Sequence, residues 1–391
     1  MTRFSLLALL LLLIAGCDDD DDAPLVVTDF GDEYVFERNG VSSVAFPGQT
    51  ARLQMAEVMN VALLDPAVSE ETLNDLFTNS NDPFTDAALN ESGKSLRSKT
   101  AASRGLFFTD TRNATRLRSE FDTYLSAQFD LLQFTDQAAR PGVPGQINDG
   151  GTPRYVAGNG LEYNQAFGKG LIGALMLDQI VNHYLDASVL DEGSNRADND
   201  TGVLVDGKPY TTMEHKWDEA YGYLFGLSPD PTDPLATLGN DDNFLNKYLG
   251  RLDGTPGYEN FAAGIVHNFI AGRDAVVNGQ YTARDRYATQ LKNDLSTVIS
   301  YRAIYYLDAA RTLLSSGPAD NSAAFHDLSE AYGFVNSLRY TNVDGAAYFD
   351  HDETDALLER LLPAEDGFWS LDVATLDALI DDISSTTSIS L

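Results

Sequence analysis

Residues 215–223 read HKWDEAYGY and residues 326–334 read HDLSEAYGF. Each copy follows a segment containing Tyr-Leu-Asp-Ala, at 184–187 and 306–309. Two matching segments in the same order constrain the fold more than any other feature. The repeated unit is a long helix ending Tyr-Leu-Asp-Ala, a loop, then a helix bearing His-x-x-x-Glu-Ala-Tyr-Gly-aromatic. The expected architecture is all-α: duplicated helical bundles, over about 48–227 and 241–341, with a short extended or hairpin segment before them and a C-terminal helix after.

Local patterning fills in that frame. Residues 25–47 alternate β-branched and aromatic side chains around Asn39-Gly40, which reads as a hairpin or an extended arm. After Pro47-Gly48 the apolar spacing turns helical, in ARLQMAEVMNVALL and again in TRLRSEFDTYLSAQFDLLQF from Thr115 to Phe134. The polar stretch 78–104 reads as a loop with short helical turns. Residues 140–160 are dense in Gly and Pro and read as a long irregular loop of the kind that often carries function. A long helix is expected from Leu161 to Ala187. Gly168, Gly170 and Gly173 inside it allow close helix packing or approach of a ligand to the backbone. Thr211 and Glu214 have capping-box spacing. Further helices are expected over 257–277, 283–314 and Leu371–Ile383, with fraying from Ser384.

The start of the chain predicts an address. Phe4 to Ile14 is an apolar run behind Arg3, too short to span a bilayer and suited to a signal-peptide core. Ile14-Ala15-Gly16-Cys17 resembles a bacterial lipobox, the alternative being a secretory signal with an incidental cysteine. The expected layout is a signal peptide at 1–16, lipidated Cys17 with an acidic tether to 30, and a folded domain over 31–391. Lipid on Cys17 anchors the chain without a transmembrane helix. Because Cys17 is the sole cysteine, no intramolecular disulfide forms. Asp18 to Asp22 fits an inner-membrane retention signal or a surface-export signal. Export is favoured, giving an outer-membrane lipoprotein on the cell surface or the periplasmic face. The formal charge of −33 argues against nucleic acid and anionic lipid surfaces as partners. The acids are spread along the chain, so charge reads as solubility as readily as a role with cations.

Residues four apart share a helical face. His215 therefore points with Glu219, Asp218 lies beside them, and His326 aligns with Glu330, with Ser329 where the first copy has Asp218. Imidazole and carboxylates on one face suit part of a metal site for iron, manganese or calcium. Glu162, Asp178 and Glu214 are further oxygen ligands, with Gln165 beside Glu162. Glu162 is the favoured fourth member of a set with His215, Asp218 and Glu219. The opposing reading is packing, with each histidine bonding the carboxylate one turn on. Trp217 reads as core or groove wall. Lys99 and Arg104, in SKTAASRG, could hold an anion or pair with the abundant acids, and pairing is expected. DEGSNRADND reads as a polar loop rich in oxygen ligands, but fails EF-hand spacing. The motifs of zinc peptidases, P-loops, nucleophile elbows and dinucleotide folds are absent from the sequence.

GLEYNQAFGKGLIGALMLDQIVNHYL, with SGKSLRSKTAASRG upstream and HKWDEAYGYLFG downstream, resembles an uncharacterised lipoprotein family of Bacteroidota and marine bacteria close to the imelysin-like superfamily. The resemblance covers most of the chain after about residue 30. It implies two similar helical bundles, an association with iron uptake, and a Gly-x-His-x-x-Glu metal motif. That motif falls on His215 and Asp218; Met213 stands at its glycine and Asp at its glutamate. The implied function is a metal- or iron-compound-binding component of nutrient uptake, working with an outer-membrane receptor. The rivals are a non-catalytic surface protein that binds an organic ligand, in a cleft under the 140–160 loop, and a metallopeptidase-like hydrolase.

Overall fold

A computed structural model describes residues 31–316 and 322–391. The expected signal peptide, lipidation at Cys17, acidic tether and extended stretch before Gly31 fall on residues outside those described. From Gly31 onward the described chain clusters as one unit.

The arm comes first. Strands β1 (Glu37–Arg38) and β2 (Val41–Ser42) pair antiparallel, Glu37 opposite Ser42. Asn39 and Gly40 make the turn with φ of 55° and 76°, the left-handed conformation that an Asn-Gly hairpin requires. Helix α1 (Pro47–Ala62) starts with proline in its first turn, where a missing N–H costs nothing. Then come α2 (Glu70–Thr78) and the short α3 (Ala87–Glu91) and α4 (Arg104–Phe107), followed by α5 (Thr111–Leu132). Ser69, Asp86, Ser103 and Asp110 cap these four through side-chain oxygens.

Residues 140–160 hold more order than their composition suggests. β3 (Gly145–Asp149) pairs antiparallel with β4 (Thr152–Val156) across Gly150-Gly151, both at positive φ. The expected irregular loop is thus largely a hairpin, packed on α5 and on the helix Ser322–Ser337.

The expected helix from 161 begins as α6 (Tyr163–Leu171) and widens into π-helical turns at Ile172–Leu177 and Ile180–Tyr184. Of its three glycines only Gly173 is in forced contact: a Cβ there would lie 2.3 Å from Ser337 Oγ. The segment after it contains α7 (Ala187–Leu190) and α8 (Asn195–Thr201), so the expected polar loop is partly helical. Asp191 in it is spent on Arg284 and Arg196 rather than offered to a cation.

Helix α9 (Thr212–Phe225) carries the first repeated stretch and opens with the expected capping box of Thr211 and Glu214. α10 (Leu245–Asp253) and α11 (Phe261–Val277) lead into α12 (Tyr281–Ser315). α13 (Ser322–Ser337) carries the second stretch. α14 (His351–Leu361) was not legible in the sequence pattern, and α15 (Val373–Thr387) runs past the expected fraying point. α13 lies between α12 and α6, while α9 lies among α1, α8, α11 and the second π turn. The described fold is mostly helical, and no described helix is long and apolar enough to cross a membrane.

Candidate functional site

The two repeated helices use the same four positions for contacts with different partners. His215 Nδ1 donates to the Ala45 carbonyl, 2.9 Å away, at the start of α1. His326 Nδ1 lies 3.0 Å from Glu162 Oε1, at the start of α6. Three residues on, Asp218 Oδ2 accepts the Ala45 N–H at 3.2 Å, and Ser329 Oγ accepts the Glu162 N–H at 3.0 Å. Four residues on, Glu219 accepts from Gln49 Nε2 at 3.1 Å, and Glu330 pairs with Lys169 Nζ at 3.1 Å. Seven residues on come the glycines. A Cβ on Gly222 would sit 2.4 Å from Phe46 Cβ, and one on Gly333 would sit 2.4 Å from Lys169 Cβ. The repeated stretch is therefore a seat for the first turns of another helix: α1 in one copy, α6 in the other.

This arrangement divides the residues named for a metal. Asp218 is fully buried and accepts from Tyr34 Oη at 2.7 Å and Arg273 Nε at 2.9 Å. Burial raises its pKa, against the pull of Arg273 and its hydrogen bonds. Glu214 is held by Arg38 at 2.9 and 3.0 Å, by Arg273 at 3.1 Å and by the Thr211 N–H. Glu162 belongs with His326, not with His215, which corrects its placement beside the first copy. Burial alone would lower the His326 pKa, but the hydrogen bond and charge of Glu162 leave it raised. Asp178 is fully buried under the SKTAASRG segment and accepts the Ala102 and Ser103 N–H groups at 3.2 and 3.0 Å. Among the described residues no three His, Cys, Asp or Glu side chains gather as a metal ion requires. His215, Asp218, Glu219 and Glu162 do not fit a common metal. Trp217 is core: its Nε1 donates to the Phe269 carbonyl at 2.9 Å.

What does gather beside the first copy is positive charge. Lys99 Nζ and Lys216 Nζ each lie 5.5 Å from the centre of the Tyr184 ring. Lys216 also reaches Glu219 at 3.4 Å. Arg52, from α1, donates to the backbone carbonyls of Ser95 and Gly48. Burial, then the charges of Arg52 and Lys216 outweighing that of Glu219, pushes Lys99 down to about 8. Burial together with Lys99 and Lys216 pushes the neighbouring His183 down to about 4. Its Nδ1 accepts the Arg104 N–H at 3.2 Å, so the proton of the neutral ring sits on Nε2. Buried acceptors line the same place without a donor: Gln49 Oε1 and Gln179 Oε1, with the Tyr223 hydroxyl nearby. Lys99, Lys216, His183 and Glu219 are only half-buried, so solvent reaches the cluster.

The expectation for SKTAASRG splits. Arg104 does pair with an acid, Glu192. Lys99 has no carboxylate within ion-pair distance among the described residues and faces a ring instead. The segment is pressed onto the π turns: Ala101 takes a φ of 46°, its N–H bonded to the Ala174 carbonyl at 2.7 Å. π turns often mark functional sites, and here they set Tyr184 against Lys99. No sequence signal separates a lysine on a ring from one in a surface pair.

A separate cavity of about 860 Å³ lies on the other face of α1, lined by apolar groups of Val35, Val44, Phe46, Pro47 and Leu89.

The model of one protein family, described as Domain of unknown function (DUF4856), matches residues 31–390. No curated protein and no solved structure matches the chain.

Proposed function

The chain belongs to the DUF4856 family, whose function is unknown, and from that premise we propose that it is a non-catalytic binding protein for a small anion, held where Lys99, Lys216 and Arg52 surround Tyr184. One observation carries this reading. In a chain with 26 Lys and Arg against 59 Asp and Glu, Lys216, Arg52 and Lys94 are near enough to depress the Lys99 pKa, with Glu219 the one acid among its leading influences, and Lys99 and Lys216 each stand 5.5 Å from the centre of the Tyr184 ring.

The overall charge of −33 opposes anions at long range. Screening cuts that field off at about 8–10 Å in physiological salt, so a ligand inside the cluster feels the local bases. Each hydrogen bond from a charged donor contributes about 1.5–3 kcal/mol. Lysines supply point charges and Tyr184 a flat wall, which suits a carboxylate or phosphate on a small organic body.

A metal compound enters this reading as a chelate of net negative charge, not as a bare ion on His215 and Asp218. A chelate of this kind accommodates the imelysin-like resemblance and a role in iron uptake. The lipobox at Cys17 adds a tether to the outer membrane and handover to an uptake receptor. The parallel contacts of α9 and α13 support a duplicated architecture.

The test is equilibrium titration with inorganic phosphate, citrate and ferric citrate, beside Lys99→Gln, Lys216→Gln and His215→Ala. The two lysine variants each weaken binding by about tenfold, the loss of roughly 1.4 kcal/mol, and His215→Ala does not. Unchanged binding in both lysine variants would contradict the reading. Tighter binding of ferric citrate than of citrate supports the metal-compound form.

A further inference from the structure

The second copy faces a base-rich place of its own. Lys169 Nζ lies 5.4 Å from the centre of the Tyr248 ring, Arg251 Cζ 5.3 Å and Arg302 Cζ 5.8 Å. Arg251 Nη1 donates to the Tyr306 hydroxyl at 2.9 Å. Tyr306 is the tyrosine of the second Tyr-Leu-Asp-Ala, as Tyr184 is of the first. Lys247 precedes Tyr248, and its pKa is lowered by burial and by Lys169 and Arg251. Glu330 is the carboxylate of the group, through Lys169.

Arg302 sets this place apart. It is 3% exposed, yet its Nε and Nη2 have no hydrogen-bond partner. The rings of Tyr248, Tyr301 and Tyr305 lie under the guanidinium. A ring face attracts the charge but leaves in-plane N–H donors unsatisfied. Among the other buried arginines of the described residues, Arg273 pairs with Asp218, Arg284 with Asp191 and Arg339 with Asp355, while Arg52 donates to the Ser95 and Gly48 carbonyls. In so acidic a protein a guanidinium without a carboxylate is not explained by scarcity of partners.

We infer that α6, α10, α12 and α13 form a second anion site, in which Arg302 offers its free N–H edge and Arg251 and Lys169 flank the ligand. The ligand class is again a carboxylate or phosphate. Only that class rests on the reading proposed above; the geometry is independent of it. The chain then holds one anion beside each copy of the repeated helix.

The experiment is saturation titration of the full protein with inorganic phosphate and with citrate, reading stoichiometry. Arg251→Gln is the main variant, because that side chain is exposed and its loss spares the core. Arg302→Met is the second, read beside its thermal midpoint. The expected result is two anions per chain, falling to one in Arg251→Gln and in Arg302→Met, and separately to one in Lys99→Gln. Arg302→Met is also expected to melt no lower than the wild type, because it removes an unpaired buried charge. One anion per chain, lost in Lys99→Gln and unmoved by Arg251→Gln and Arg302→Met, overturns the second site and leaves the first. One anion lost in Arg251→Gln and unmoved by Lys99→Gln keeps the second site and overturns the first. No binding overturns both.

Discussion

Asp218 and Ser329 occupy the same place in the two repeated helices, and both accept a backbone N–H from the start of the helix seated there. The aspartate adds a second duty in the first copy, gripping Arg273 and Tyr34. Asp218→Ala leaves Arg273 buried beside Glu214 alone and should cost about 3–5 kcal/mol in denaturant unfolding. Ser329→Ala removes a neutral acceptor and should cost about 1–3 kcal/mol. An aspartate kept for a metal would instead be dispensable to the metal-free fold. Two titrations belong at this scale. With Lys99 held at about 8, anion binding should weaken as pH rises through that value, and Lys99→Gln should flatten the profile. His183 has a folded pKa of about 4, against ~6.5 unfolded. Between these values the unfolded chain binds more protons, so this contribution to stability is full above the unfolded pKa and falls as pH drops toward 4. His183→Gln should remove that part of the acid destabilisation, measured as unfolding free energy against pH.

At the scale of elements, the repeated helices explain their own glycines. Gly222→Ala drives a methyl into Phe46, the residue that precedes α1, and should destabilise by about 1–3 kcal/mol. Gly168, by contrast, has only an ordinary contact, Asn60 Oδ1 at 3.7 Å from a built Cβ. Gly168→Ala should be neutral or stabilising by up to about 1 kcal/mol, from helix propensity. Comparing the thermal midpoints of the two variants separates close packing from mere flexibility. Much of this level was legible: the Asn39-Gly40 hairpin, the capping box at Thr211, and the helices bearing the repeats all follow from local spacing. The 145–156 hairpin was hidden because Gly and Pro density signals a break without saying what the break connects. Asp149-Gly150-Gly151-Thr152 carried the turn signal that could have found it. The π turns left no trace in the pattern; the 98–105 segment packs on them, with the Ala101 N–H on the Ala174 carbonyl.

For the whole molecule, the sequence displays charge but not its distribution in space. The histidines and carboxylates of the repeats stood out because they are few or regularly spaced, and the structure uses them largely for seating helices. Lys99, Lys216 and Arg52 are far apart in the chain and meet only through the fold. The same holds for Lys169, Arg251 and Arg302. In both places bases collect within an acidic protein, and that contrast is the basis of the functional account. The most direct measurement is the anomalous difference map of crystals soaked in selenate. The account predicts a peak between the Lys99 and Lys216 ammonium groups, with selenate oxygens about 2.7–2.9 Å from each nitrogen once the side chains close on it. Selenate bound elsewhere, with that position empty at saturating concentration, would contradict it.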